Sequence, residues 1–383
     1  MAKKNQILNK DKCEVLVVSQ TPFPHTHICD VPVVKEMKVL GLIYTHDCKM
    51  DVNIKHRGTQ GAGKNVLHLS RMYKFGCHHD LRLSNMMLSM DVRPTLVFGA
   101  CIWGAHKMSA SDPMKHPLQS QYSVMQKRAL GLPHSTGHWI LCLLTGNLPI
   151  QHYIIKEFCR FWNQVLDQAS QTFPLKAALI MQKRLMRERK KCWLGTWMQV
   201  LDRMIPDAET LLQLNSLQRI DVDTIMSHLR VSYFKLVYNI GDPRTTNCVR
   251  RRTALSSHLV YNIGFRFGEV PKPMRWPLPH HVRQIWHDFL AANSKLPVHD
   301  FALAHIPFHQ RLCRKCKLNT IADEYHVVLE CTATSTVREQ YTTKLLWQKH
   351  SLRQFVQVNN SRTLPFYIYA CMKQYLCAPI AVE

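Results

Sequence analysis

Acidic side chains are scarce in this chain of 383 residues: 26 Asp and Glu stand against 50 Lys and Arg. No two aspartates are adjacent anywhere in it. The nearest pairs are Asp47/Asp51 in a polar turn and Asp221/Asp223 in a helical stretch. Neither has the converging carboxylates that a two-metal phosphoryl-transfer site needs. Long apolar runs are missing too. The longest, residues 139–144, falls far below the roughly 20 residues that cross a bilayer, so no membrane partner is expected. The opening Met1-Ala2-Lys3-Lys4-Asn5-Gln6 has lysines with no apolar stretch behind them, which is not a secretory signal. The expectation is an intracellular protein, nuclear or cytoplasmic and not secreted. Its 14 cysteines then read as reduced thiols, not as a disulfide framework.

What is present is a globular composition, 46% hydrophobic, carrying a formal charge of +24 and 22 histidines besides. A surplus of that size concentrates anions, and inside a cell the usual polyanion is nucleic acid. RNA or DNA is therefore the expected partner, and no small-molecule substrate is expected.

The pattern of residues predicts a mainly α protein with a small N-terminal β element. Residues 1–50 hold the β-branched run Val15-Leu16-Val17-Val18 and a second short run broken by Gly41. Residues 51–240 repeat apolar positions at helical intervals, with Ile154, Phe158, Phe161, Trp162 and Leu166 on one face. Gly131-Leu132-Pro133 reads as a helix stop. Residues 241–299 are rich in proline and read as an irregular basic connector. Residues 300–345 form a compact Cys/His segment, and 346–383 a helical tail. The hexapeptide Leu-Val-Tyr-Asn-Ile-Gly occurs at 236–241 and again at 259–264, too few copies for a repeat architecture.

The strongest chemical motif is Cys313, Cys316, His326 and Cys331, spaced Cys-x2-Cys-x9-His-x4-Cys. A tight Cys-x2-Cys turn offers two thiolates to one ion, and a His and a Cys five residues apart complete a tetrahedron. Three sulfurs and one imidazole suit structural Zn²⁺, with no open position for water and hence no catalysis at the metal. Against this stands coincidence in a chain rich in Cys and His.

Three basic runs are candidate nucleic-acid contacts. Lys183, Arg184, Arg187, Arg189, Lys190 and Lys191 read as one charged helix face beside an apolar one. Arg250, Arg251 and Arg252 fall in a loop, and Arg311, Arg314, Lys315 and Lys317 flank the first cysteine pair. Each run reads equally as a solvated surface. The stretch Gly58-Thr59-Gln60-Gly61-Ala62-Gly63-Lys64-Asn65 comes close to a phosphate-binding loop. Asn65 replaces the hydroxyl that would bind Mg²⁺, and the preceding residues are too polar for a buried strand. It is read as a flexible loop ahead of a helix.

Several segments, in order, resemble landmarks of the reverse transcriptases of non-LTR (LINE-type) retrotransposons. Leu8-Asn9-Lys10-Asp11-Lys12-Cys13 is similar to a palm segment ending in lysine-threonine, which implies that Lys12 lies near the incoming nucleotide. Met37-Lys38-Val39-Leu40-Gly41-Leu42 resembles the primer-grip hairpin and implies nucleic-acid contact at Lys38 and Gly41. Leu96-Val97-Phe98-Gly99-Ala100-Cys101-Ile102-Trp103-Gly104 is similar to the landmark that follows the thumb. Gln126 to Leu132 and Phe161-Trp162 match later ones. Ile306-Pro307-Phe308-His309-Gln310-Arg311-Leu312-Cys313 leads into the cysteine motif. Asp323-Glu324-Tyr325-His326 with Glu330-Cys331 resembles the family's closing signature, and Arg338 stands where an arginine is expected.

The resemblance implies a remnant of the palm in 1–50, a thumb-like helical region in 51–240 and a zinc knuckle in 300–345. The enzyme's metal-binding aspartates have no counterpart here, so Mg²⁺ belongs only to a full-length parent, and no polymerase activity is expected of this chain alone. Two functional readings follow. One is the C-terminal part of an RNA-directed DNA polymerase. The other is a non-catalytic nucleic-acid-binding zinc protein retained from a retroelement. A structural zinc protein with protein partners is a third.

Overall fold

Residue alternation is strongest at the start of the chain, and there lie the strands found among the described residues. The computed structural model describes residues 13–19, 23–109, 112–169, 173–205, 208–238, 269–299, 306–347 and 351–380. Lys12, Arg250, Arg251, Arg252 and most of the repeated hexapeptide lie outside the described residues. Strands β1 (Val15–Leu16), β2 (His27–Ile28) and β3 (Val31–Val34) form a small sheet in the order β1-β3-β2, with β1 parallel and β2 antiparallel to β3. Strands β4 (Glu36–Val39) and β5 (Leu42–Thr45) make an antiparallel hairpin in which Val39 faces Leu42. Its two-residue turn has positive φ at both Leu40 (49°) and Gly41 (85°), the geometry that matches the twist of paired strands. The sheets keep open edges, and Val18, Val39 and Leu40 are exposed apolar residues beside them.

Most of the other described residues are helical. α1 (Asp51–Lys74) anchors the hairpin: the Asn53 side chain exchanges hydrogen bonds with the backbone of Ile43 at 2.9 and 2.6 Å, and Arg57 donates to the carbonyl of Gly41. Then come α2 (Leu81–Met87), a π-turn at Leu88–Val92, α3 (Arg93–Val97), α4 (Ala100–Trp103), α5 (Gln119–Leu130) and α6 (His138–Thr145). Gly131 (φ 70°) and Gly146 (φ 69°) close the last two in the left-handed conformation, as the helix-stop reading of 131–133 required.

The longest apolar stripe is on α7 (Ile150–Ala169). Ile154, Phe158, Trp162 and Val165 are buried along it, whereas Phe161 and Leu166 are only half-buried at its margin. Phe158 stacks on Trp197 at 4.2 Å, and the Trp162 indole donates to the Gln218 carbonyl at 2.9 Å, so the aromatic bodies are buried without stranding their N–H groups. α8 (Phe173–Arg187), α9 (Trp193–Met204), α10 (Ala208–Asn215) and α11 (Val222–Tyr238) complete this region. The indoles of Trp193 and Trp197 both donate to the Cys101 carbonyl, at 2.7 and 2.9 Å, and so lock α9 onto the end of α4.

Two expectations are overturned. The stretch 58–65 is no loop; it lies in the middle of α1. A β-carbon on Gly61 would stand 2.3 Å from Leu96, which is fully buried, so the glycine is there for close helix packing. A continuous helix also rules out a phosphate-cradling loop. Secondly, residues 269–299 are not an irregular connector. α12 (His280–Leu290) buries Val282, Trp286, His287, Phe289 and Leu290. It packs on the last helix and donates from Gln284 to the Gly131 carbonyl at 2.8 Å.

Two of the three glycines of α1 should respond with opposite sign. Gly61→Ala is expected to destabilise by about 1–2 kcal/mol because a buried Leu96 must move. Gly63→Ala, with nothing within 4 Å of the new carbon, should stabilise by about 0.5–1 kcal/mol. Urea midpoints of the two variants check this, and equal shifts would contradict the packing argument.

Candidate metal centre

A short hairpin presents the first two ligands. Leu312 and Ile321 pair as an antiparallel bridge, Cys313 N–H donates to the Thr320 carbonyl at 2.8 Å, and Ala322 N–H donates to the Arg311 carbonyl at 3.0 Å. Cys313 and Cys316 lie in the turn between these strands. The Lys315 N–H points at Cys313 Sγ, 3.4 Å away, where it steadies a thiolate. The other two ligands come from one wide turn, His326–Glu330. Asp323 opens it by accepting from His326 N–H at 2.9 Å, and Cys331 N–H closes it on the His326 carbonyl at 2.7 Å. This five-residue loop brings the x4-spaced His and Cys to the same side.

The four ligand atoms lie within 4.8 Å of one another, and all four residues are buried, from 0% exposed for Cys331 to 7% for Cys316. The two sulfurs of Cys313 and Cys331 are 3.8 Å apart. A disulfide needs about 2.05 Å. A tetrahedron with bonds of about 2.3 Å has an edge of about 3.8 Å, so the observed spacing is compatible with two sulfurs sharing an ion. His326 Nε2 stands 3.3 Å from Cys316 Sγ, while Nδ1 lies 2.8 Å from Thr320 Oγ1. An Nδ1–H that donates to Thr320 leaves Nε2 as the free ligand atom, the tautomer a metal requires. The cluster can hold a metal ion.

Without an ion, the Cys313 thiol is held far below the ordinary thiol range, chiefly because Cys331 donates to it. His326 and the Lys315 N–H add to this, and the same bond pushes Cys331 up. One proton shared by two crowded sulfurs is the arrangement a divalent cation would relieve.

The support for this site comes from residues far away in sequence. Arg338 donates to the Cys331 carbonyl at 2.6 Å and to Thr334 Oγ1 at 2.7 Å, clamping the chain just after the last ligand. The tail contributes α14 (Leu352–Val358) and α15 (Thr363–Cys377), preceded by α13 (Ser335–Gln340). From α15, the Tyr375 hydroxyl lies 3.6 Å from Cys313 Sγ, and the Tyr367 hydroxyl donates to the Val328 carbonyl. The tail is thus part of the wall of the site. Only Arg338 had a sequence signal. Thr320 and Tyr375 had none, because a lone hydroxyl near a thiol leaves no pattern.

The basic residues part company. Arg311 is buried, and its guanidinium donates to the carbonyls of Val298 (2.9 Å) and Ile306 (3.0 Å), so it fastens the segment ahead of the hairpin instead of facing a phosphate. Arg314 is exposed, while Lys315 donates to the Ala378 carbonyl. In the other cluster, α8 ends at Arg187, and Arg189 turns the chain at φ 54°. Lys183, Arg184 and Arg187 therefore sit on the helix, but Lys190 and Lys191 follow it in the turn. Glu188 pairs with both Arg184 and Lys190, each at 2.8 Å. The expected single charged helix face is divided in two. Lys38 is exposed on β4, beside Gly41 in its turn.

Among the described residues no helix is long and apolar enough to cross a membrane. Comparison of the chain with known protein families, curated proteins and solved structures found no match to any of them.

Proposed function

We propose that this chain is a nucleic-acid-binding zinc protein of retroelement descent, corresponding to the C-terminal part of a non-LTR reverse transcriptase. The geometry of Cys313, Cys316, His326 and Cys331 carries the zinc reading. Three sulfurs, one imidazole, near-complete burial and close spacing favour Zn²⁺ over oxygen-seeking cations. Bound there, the ion supplies a fold-stabilising crosslink and no reaction chemistry, since the protein fills all four positions. The order of the sequence landmarks supports the descent. The Leu40-Gly41 hairpin pinned to α1, the open-edged small sheets and the helical region that follows agree with a palm remnant joined to a thumb.

The nucleic-acid reading rests on the charge of +24 and on exposed cations such as Arg187, Lys191 and Arg314. Polymer binding through such groups is electrostatic and releases counterions. The chain alone is expected to bind single-stranded RNA or DNA with an affinity that falls steeply with salt. Fluorescence anisotropy across a salt series measures it. A loss of at least roughly tenfold between 50 and 200 mM salt is expected. No binding at low salt, or binding indifferent to salt, would defeat the nucleic-acid reading while leaving the metal centre standing.

A further inference from the structure

A second cluster of cations, remote in sequence from the cysteines, lines a cleft of about 500 Å³ between two walls. One wall is the turn from α1 into α2, with His79 and Arg82. The other runs from the 3₁₀ turn Lys272–Arg275 into α12, with Arg275, Trp276, His280 and Arg283. The rings of His79 and His280 meet at 4.5 Å and join the two walls. They continue a column of rings: His78 lies 4.0 Å from His79, and Tyr73 stacks on His78 at 4.2 Å.

Three guanidiniums on three different elements line this cleft, and none of them has an ion-pair partner among the described residues. Elsewhere in the chain Arg184 and Lys190 share Glu188, Arg219 pairs with Asp167, and Lys64 pairs with Asp91. The one carboxylate in the cleft, Asp80, is already engaged, its Oδ1 accepting from the backbone N–H of Arg82 and of Leu83 at 2.9 and 3.0 Å. Arg283 gives one N–H to the Leu278 carbonyl at 2.7 Å, while its Nε is buried with no partner. A buried donor without an acceptor costs free energy unless a ligand supplies one. Burial first, and then the nearby His78, His280 and Arg283, depress the pKa of His79.

We infer that this cleft is a phosphate-binding site, in which Arg82, Arg275 and Arg283 grip one phosphate group and Trp276 offers an apolar face to whatever carries it. Guanidiniums suit phosphate because their donors are paired and planar, and an adjoining aromatic ring suits the sugar or base of a nucleotide. The volume is within the range of small-molecule sites and accommodates a nucleotide. The inference goes beyond the reading above, which names no pocket. The phosphate belongs either to a polynucleotide strand or to a free phosphate compound.

The test uses the full chain with two probes, inorganic pyrophosphate followed by calorimetry and a short fluorescein-labelled single-stranded RNA followed by anisotropy. The variant R82Q/R275Q removes two exposed cations of the cleft, and K55Q/K344Q removes two exposed cations elsewhere. Both variants should melt within about 2 °C of the parent, as surface substitutions do. R82Q/R275Q is expected to weaken pyrophosphate binding by roughly tenfold or more, with K55Q/K344Q unchanged. If the cleft grips a strand, R82Q/R275Q also lowers the salt slope of RNA binding by roughly one to two. Pyrophosphate binding lost in R82Q/R275Q, with no RNA binding by the parent, would keep the site as one for free phosphate compounds and defeat the nucleic-acid reading. Parent and R82Q/R275Q chains that bind both probes alike would overturn the site, as would a parent that binds neither.

Discussion

Cys331→Ser is expected to empty the metal centre and cost on the order of 5 kcal/mol of stability in the C-terminal unit. Structural zinc contributes about 10–16 kcal/mol of binding free energy in small zinc domains, and most of that is folding free energy where no preformed site exists. Here the ligands are also the junctions of the local fold. Cys313 stands at the start of the hairpin turn, and Cys331 carries the carbonyl that Arg338 clamps. α15 leans on Cys313 through Tyr375 and on the turn ahead of Cys331, at the Val328 carbonyl, through Tyr367. With one ligand gone, two thiols and an imidazole remain buried around nothing. The expected signs are loss of bound zinc, a lower urea midpoint and faster proteolysis between 306 and 380. A chelator should do the same to the parent protein. A midpoint that chelation leaves unmoved would mean that the cluster holds itself together without metal.

Acid should unfold the protein well before its carboxylates titrate. His116, His152 and His287 are buried at 2%, 3% and 2% exposure, and burial pulls their pKa values down from 6.5 to about 4, about 3 and about 4. His287 Nδ1–H donates to the Leu130 carbonyl at 3.0 Å, and His152 meets the edge of the Tyr233 ring, with no anion at either. A group whose folded pKa is depressed binds its proton in the unfolded chain first. Stability is therefore complete above pH 6.5 and falls as pH drops toward 4. At pH 5 each of the three costs about 2 kcal/mol, so about 6 kcal/mol is lost together, comparable with the whole stability of many domains. Urea titrations at pH 7 and pH 5 measure the difference, and His152→Gln should flatten the dependence by one proton. A stability constant from pH 7 to pH 5 would contradict the burial of these rings as neutral groups.

What was legible in the sequence is what is local. The four candidate ligands lie within a single short segment, and their spacing alone marked the donor set. Gly131 announced the end of α5 because a left-handed residue is a property of its own position. The break at Gly41 was readable in the same way, whereas the hairpin at Leu40-Gly41 came from the resemblance.

What failed depended on distant partners. Three glycines in eight residues signal a turn, yet Gly61 sits in mid-helix because Leu96, far along the chain, needs the space. Arg311 looked like part of a charged surface, but charge does not show which way a side chain points, and here it points inward to two carbonyls. The prolines of 271–279 suggested irregularity throughout, although α12 begins right behind them at His280. The tail read as an appendage because no spacing rule connects Tyr375 to Cys313.

X-ray absorption at the zinc edge of the purified full-length chain tests the central claim most directly. One zinc per chain is expected, with three sulfurs at about 2.3 Å and one nitrogen at about 2.0–2.1 Å, and a sulfur lost in Cys331→Ser. A protein purified without metal that folds unchanged, or an ion held by oxygen ligands, would contradict it.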